Sequence, residues 1–406
     1  MRHLRPGAGS VHAIDSPYAW RMTAIGFVTC FVVFGAVYSF GAFFQPLAAE
    51  FGAHRAGTST IFSITAALYN ALGFVSGWLS DRFGPRRVML VGAVALGAGL
   101  IATAAAHTLA VAYITYGVGL GVGVAFTYIP ALALVGGWFA RRRNTAMGIA
   151  VSGTGAGTLI LSPLAAAAIG WYGWRQTYVL MGVVGALALG ACAMLAQPAP
   201  VSPVRIPRRR GHLTRSADFA RLYIAFVLAS ISIYVPFVYL PDFAQSRGVA
   251  AVAAAALVGF VGAASIAGRL GLGPIADRTG IFPIFKASVL VLACSFAIWP
   301  LAHSYATLVL FAVVMGAAYG GMVSLSPTLA AELFGVEDLG TTLGALFSSS
   351  AISALAGPPL VGYAIDHGGS YLWAAVMGGG AGLIGFCILI PLHAAEPLTA
   401  TLIPAK

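Results

Sequence analysis

Gly77-Trp78-Leu79-Ser80-Asp81-Arg82-Phe83-Gly84-Pro85-Arg86-Arg87 has an echo in Gly273-Pro274-Ile275-Ala276-Asp277-Arg278-Thr279-Gly280, in which Gly77, Asp81, Arg82 and Gly84 recur at a spacing of 196 residues. The same spacing carries Gly148 to Gly344, Ser152 to Ser348, Pro163 to Pro359 and Met181-Gly182 to Met377-Gly378. One register held over five helices marks an internal duplication. In each copy glycine permits close helix packing and a turn, and the Asp at the helix end can pair with arginines or cap a neighbouring helix.

The solvent of this duplicated chain follows from its composition. Of 406 residues, 59% are hydrophobic and 8% charged, with a mean hydropathy of +0.91; a soluble domain carries about 25% charged residues. The chain has too few charges to wet the surface of two or three globular domains, so most of it must sit in lipid. Twelve apolar windows are long enough to cross a hydrocarbon core, at 22–48, 57–80, 87–106, 109–137, 144–170, 175–196, 219–244, 250–275, 282–302, 305–333, 340–365 and 371–393. Pro198, Pro200, Pro203, Pro207 and the run Arg208, Arg209, Arg210 interrupt the series after the sixth. The predicted organisation is an all-α membrane protein: a six-helix half at 1–196, a cytoplasmic linker at 197–218 and a second six-helix half at 219–406.

Charge position sets the expected orientation. With both termini inside, eighteen of the 22 basic residues fall on inner loops, and three, Arg55, Arg175 and Arg247, fall outside. Basic loops stay cytoplasmic, so the formal +11 is a topology signal and calls for no nucleic acid. Runs such as Arg141, Arg142, Arg143 need no ligand. The four cysteines, Cys30, Cys192, Cys294 and Cys387, stand alone in apolar stretches and read as small buried hydrophobes. The expected location is the plasma (inner) membrane, and the first span reads as a retained helix.

The paired Asp81-Arg82 and Asp277-Arg278 loops resemble the signature loop of the major facilitator superfamily, which implies two parallel six-helix repeats around a central site and a gating role for Asp81, Arg82, Asp277 and Arg278. The stretch Trp138-Phe139-Ala140-Arg141-Arg142-Arg143-Asn144-Thr145-Ala146-Met147-Gly148 through Gly157 is similar to the fifth-helix signature of the monocarboxylate porters. Gly357-Pro358-Pro359-Leu360-Val361-Gly362 and, more loosely, Tyr18-Ala19-Trp20 resemble further segments of that family. The glycines of the fifth helix read as a packing face.

Chemistry needs something polar at depth, and Arg269 is the sole full charge in the middle of a span. It lies eight residues before Asp277, about 12 Å above the interface, in a core about 30 Å thick. A charge there costs at least ~2.5–3.5 kcal/mol and marks function, and a guanidinium fork suits a carboxylate. The resemblance implies the same, since these porters carry a carboxylate-binding arginine in the eighth helix. Tyr128 and Tyr319 look like tyrosines that bacterial lactate-type members place near the bound acid. Asn70, about 16 Å deep, needs a partner for its amide, and Ser265 and Tyr38 complete the candidate substrate-binding set. The animal members have an acidic residue where Ser265 stands and a lysine where Ala42 stands. The oxalate-type members bring a second cation from helix 11, where this chain has Ser348, Ser349 and Ser350, which argues for a singly charged anion.

The sequence therefore reads as a secondary transporter of a small organic monocarboxylate, lactate- or pyruvate-like and coupled to a proton, working by alternating access. Two alternatives stay open: an organic-anion exchanger or an exporter of aromatic or drug-like acids, into which Phe126, Phe347 and Tyr319 would fit, and a non-transporting membrane sensor or scaffold. No metal or cofactor is called for. The absence of a Walker loop, HExxH and GxSxG excludes ATP-driven pumping and the corresponding enzymes.

Overall fold

The computed structural model describes residues 14–139, 142–198, 217–334 and 339–392; side chains including those of Arg143, Asn144 and Asp277 also lie outside the description. So do Arg141, the linker prolines from Pro200 on and Arg208 to Arg210. Every regular element among the described residues is helical. The spans are α1 (Ala19–Phe51), α2 (Arg55–Ala71 continued by Gly73–Phe83), α3 (Pro85–Ala104), α4 (Leu109–Trp138), α5 and α6 (together Arg143–Leu195), α7 (Ala217–Ser246), α8 (Ala251–Thr279), α9 (Ile281–Ile298), α10 (Tyr305–Phe334), α11 (Leu339–Gly368) and α12 (Leu372–Leu389). These are the twelve spans of the sequence reading, with ends shifted by a few residues.

Three details arise where backbone chemistry demands them. Gly173, at φ +80°, separates α5 from α6 without an intervening loop, a conformation that costs an L side chain dearly. The span α2 bends by 48° at Leu72, two residues after Asn70. In α1 the helix breaks at Ser39, directly after Tyr38. Two of the predicted site residues thus sit beside interruptions in their own helices.

The duplication is written into the backbone as well as the sequence. The left-handed glycines of the described chain are Gly52, Gly84, Gly173, Gly248, Gly280 and Gly369, and they form three pairs at the same 196-residue spacing. Gly84 and Gly280 agree closely, at φ 87°, ψ 148° and φ 93°, ψ 149°.

The two halves meet along α5 with α8, α2 with α11, and α1 with α7. The fifth-helix glycines divide this work. Gly153 and Gly157 lie against the backbone of Phe27 and Phe31 in α1, while Gly155 faces Gly262 of α8 across the half-to-half interface, where an added Cβ would come within 2.5 Å of the Gly262 carbonyl. Further along, the Ser162 hydroxyl donates to the Ala255 carbonyl at 3.0 Å. Lipid offers no hydrophobic drive between helices, so small residues that admit close backbone approach hold such an interface.

Contact between the halves is lopsided along the membrane normal. The Arg55–Ala71 arm of α2 packs along α11, whereas the Gly73–Phe83 arm packs on α3 and α4 and makes no extended contact with α11. Hydrogen bonds and ion pairs between described residues of opposite halves run from the level of Asn70 to the Arg55 end of the molecule. Among the described residues the halves are therefore closed on each other at the Arg55 end and parted at the Asp81 end.

The expectation of buried cysteines holds for Cys30 and Cys192 and fails for Cys294 and Cys387, which are exposed on the helix surface. An apolar stretch in lipid has two apolar environments, the packed core and the lipid-facing surface, and composition alone does not separate them.

Candidate functional site

Residues 262, 266 and 269 share one face of α8. Gly262 and Ile266 on that face pack against Gly155 of α5, which brings Arg269 to the seam between the halves. Its guanidinium lies 5.7 Å from the centre of the Tyr319 ring, within the range of a cation–π contact. Its Nε is buried without a hydrogen-bond partner. The Cys30 thiol and the Tyr128 phenol lie within electrostatic reach of the guanidinium.

An aromatic wall extends from this arginine across the seam. Tyr319 meets the edge of Phe237 at 6.1 Å, and Phe237 of α7 stacks on Tyr38 of α1 with ring centres 4.0 Å apart. Phe34 presents edges to Tyr128 at 4.9 Å and Tyr69 at 5.9 Å. The Tyr69 and Tyr234 hydroxyls are 3.4 Å apart, and the Asn70 amide donates to the Tyr234 hydroxyl at 3.1 Å and to the Ala66 carbonyl at 2.8 Å. Of the six sequence candidates, Arg269, Tyr319, Tyr128, Tyr38 and Asn70 therefore belong to one continuous cluster.

Ser265 stands apart. It is buried, its hydroxyl donates to the Gly262 carbonyl at 2.8 Å within its own helix, and its backbone lies against Gly320 of α10. The serines of α11 are likewise occupied within their half: Ser348 shares a bond with Tyr223 at 3.2 Å, Ser350 with Ser230 at 3.2 Å, and Ser349 donates to the Leu346 carbonyl. Phe347 is exposed.

At the parted end, Asp81, Arg82 and Arg278 are exposed. Arg82 lies over the rings of Trp78 and Phe83 at 5.5 Å, and Asp81 forms no ion pair among the described residues.

Among the described residues, the ion pairs that span the halves lie at the opposite end. Arg55 of α2 reaches Asp242 at the end of α7 at 3.3 Å and Asp366 of α11 at 3.3 Å, and it donates to the Tyr371 hydroxyl at 2.9 Å. Tyr371 donates to Asp242 Oδ2 at 2.5 Å, Gln45 donates to its Oδ1 at 3.1 Å, and the Ala56 amide reaches Asp366 at 3.4 Å. Sequence reasoning missed this network and also Tyr69, Tyr234 and Phe237. A signal existed for the former: Arg55, Asp242 and Asp366 fall at span ends on one side of the membrane, the side poorest in basic residues.

The duplicated helical architecture agrees with the family comparisons. The Major Facilitator Superfamily model matches residues 26–303 and 287–405. Monocarboxylate transporter 3 of Rattus norvegicus is 31% identical over 367 residues, covering 86% of this chain and 74% of that protein. The chain belongs to the major facilitator superfamily, in its monocarboxylate porter family. Monocarboxylate transporter 13 of Rattus norvegicus is 29% identical over 394 residues, covering 94% of this chain and 91% of its own length. Among solved structures, a mutant of the peptide transporter POT in complex with alafosfalin superposes with a TM-score of 0.73 at 16% identity, covering 95% of both chains. An inward-facing, unoccupied bacterial homologue of the human lysosomal transporter Spinster superposes with a TM-score of 0.70 at 15% identity, covering 93% of this chain and 95% of that one. The protein is a multi-pass membrane transporter and no enzyme.

Proposed function

We propose that this transporter carries a small organic monocarboxylate, lactate- or pyruvate-like, together with a proton, and that Arg269 holds the carboxylate. The observation that carries this reading is the Arg269 side chain itself. It is a cation at mid-membrane with a buried, unpartnered Nε, set at the seam of two halves and walled by phenols. A carboxylate arriving there would supply the missing acceptor and neutralise the charge, and a bidentate guanidinium–carboxylate pair is among the strong hydrogen-bonded interactions. The names of the relatives, monocarboxylate transporters of about 29% identity, support the same substrate class.

A single arginine answers a single negative charge, which favours a monocarboxylate over a dicarboxylate. Binding one anion with one proton keeps the loaded carrier electrically as it was when empty. Among the described residues no acidic side chain stands in the Arg269 cluster, so the proton travels on the substrate carboxylate or on a phenol. The site alternates between the two sides by rocking of one half on the other. With the halves at 1–196 and 219–406, the linker at 197–218 and both termini cytoplasmic in the inner membrane, the parted Asp81 end faces the cytoplasm. The helix ends that carry Asp81-Arg82 and Asp277-Arg278 then belong to the gate that closes there in the opposite state.

The aromatic wall favours one second reading, an exchanger of organic anions or an exporter of aromatic acids, since Phe34, Tyr38 and Phe237 could cover a ring. Purified protein in liposomes separates these. Proton-driven uptake of a labelled small acid, abolished in Arg269→Gln, supports the first reading. Counterflow that ignores an imposed pH gradient and prefers aromatic acids supports the second. Uptake of every carboxylate unchanged in Arg269→Gln sinks both.

A further inference from the structure

We infer that Tyr69, Tyr234 and Asn70 form a second recognition point that takes a hydroxyl group on the substrate's carbon skeleton, so that the transporter selects hydroxy acids over unsubstituted acids of equal length. This rests on the reading of Arg269 as the carboxylate site. The argument is a count of protons. Asn70 spends one amide hydrogen on the Ala66 carbonyl and points the other at the Tyr234 oxygen. Tyr69 and Tyr234 hold two hydroxyl protons and share one hydrogen bond, so one proton of the pair is left over whichever phenol donates. On the other side of the count, the Asn70 side-chain oxygen accepts nothing from the described residues.

The cluster therefore offers a spare donor beside a spare acceptor. A hydroxyl, which donates once and accepts, satisfies both; a methylene satisfies neither and leaves the buried phenol donor without an acceptor. Burial makes that difference matter. Tyr69 and Tyr234 are 8% and 6% exposed, and a buried polar group without a partner costs more than the bond it fails to make. Position matters equally. Tyr69 and Asn70 belong to α2 of the first half and Tyr234 to α7 of the second, while Arg269 stands on α8. A hydroxy acid held at both points would tie the two halves through the substrate.

The measurement is competition against uptake of a labelled monocarboxylate in proteoliposomes by butanoate and by 2-, 3- and 4-hydroxybutanoate, in the wild type, in Tyr69→Phe, Tyr234→Phe and in the double variant. The wild type is expected to prefer at least one hydroxybutanoate over butanoate by roughly three- to tenfold, the value of one hydrogen bond. The position of the favoured hydroxyl reports the spacing from Arg269. The double variant is expected to lose that preference, the ratio of hydroxybutanoate to butanoate affinity falling to about one, and each variant keeps its ring, so the contacts of Tyr69 with Phe34 and of Tyr234 with Phe62 survive. A wild type without preference for any hydroxybutanoate, or a double variant that retains it, overturns the inference. Arg269→Gln in the same assay reports separately on the underlying reading: if it still binds butanoate, that reading fails, whatever the phenols do.

Discussion

Arg55 and Asp242, 187 positions apart in sequence, meet at 3.3 Å at the closed end of the molecule. Asp242 is 3% exposed, and a carboxylate so buried persists only with partners that replace its water. Arg55, Tyr371 and Gln45 are those partners, and they come from both halves. Separating the halves at this end must return Asp242 to water or strand it, so the network holds this end shut.

Asp242→Asn keeps the shape and the hydrogen bond with Tyr371 but removes the attraction for Arg55. The closed end is expected to open more often. In a background lacking the four native cysteines, a cysteine placed at Ala42 would react several-fold faster with a membrane-impermeant maleimide added from the Arg55 side. Labelling at the wild-type rate would show that the network does not hold the closure. Arg55→Ala, which leaves both carboxylates uncompensated, is expected to lower stability by about 1–2 kcal/mol, a value discounted for the partial exposure of Arg55.

Arg269 costs the fold something when no anion is bound, since its buried Nε has no acceptor. Arg269→Leu is therefore expected to raise the apparent melting temperature of the unliganded protein in detergent by a few degrees while abolishing stabilisation by added carboxylate. A melting temperature that falls instead would mean that the guanidinium has a structural acceptor.

Gly155 sets how near α5 comes to α8. A Cβ there would lie 2.5 Å from the Gly262 carbonyl, a clash that only a shift of one helix relieves. Gly155→Ala should cost about 1–3 kcal/mol and reduce transport, whereas Gly271→Ala, where a Cβ meets open space, should cost nothing in packing. Thermal unfolding followed by size-exclusion chromatography compares the two.

Arg175 caps the end of α3 by donating to the Ala104 and Ala106 carbonyls, at 2.5 and 3.0 Å, and pairs with Glu50 at 2.7 Å. It touches none of the Arg269 cluster. Arg175→Ala is expected to lower stability by about 1 kcal/mol and leave substrate affinity unchanged; a changed affinity would tie this surface corner to the central site.

Much of this was legible in the linear order of residues. Hydropathy alone places twelve spans, because a lipid-crossing helix must be apolar for about 20 residues whatever its neighbours. The 196-residue register establishes the duplication, since a repeat is a property of the chain itself, and the left-handed glycines follow it pair by pair. Arg269 stands out because a charge in a span is costly in any fold. Ser265 was indistinguishable from a site residue by depth, and only the direction of its hydroxyl into its own helix removes it from the cluster.

The tertiary structure alone decided what meets across the seam. Arg55, Asp242, Asp366 and Tyr371 are ordinary span-end residues one by one, and Tyr69 and Tyr234 are two tyrosines among fifteen. Nothing local in the chain pairs them, because their partners are supplied by the rigid docking of two helical halves. Periodicity and hydropathy record how each helix meets lipid. Which side chains face each other depends on the rotation of every helix about its axis, and that is settled by packing over the whole molecule.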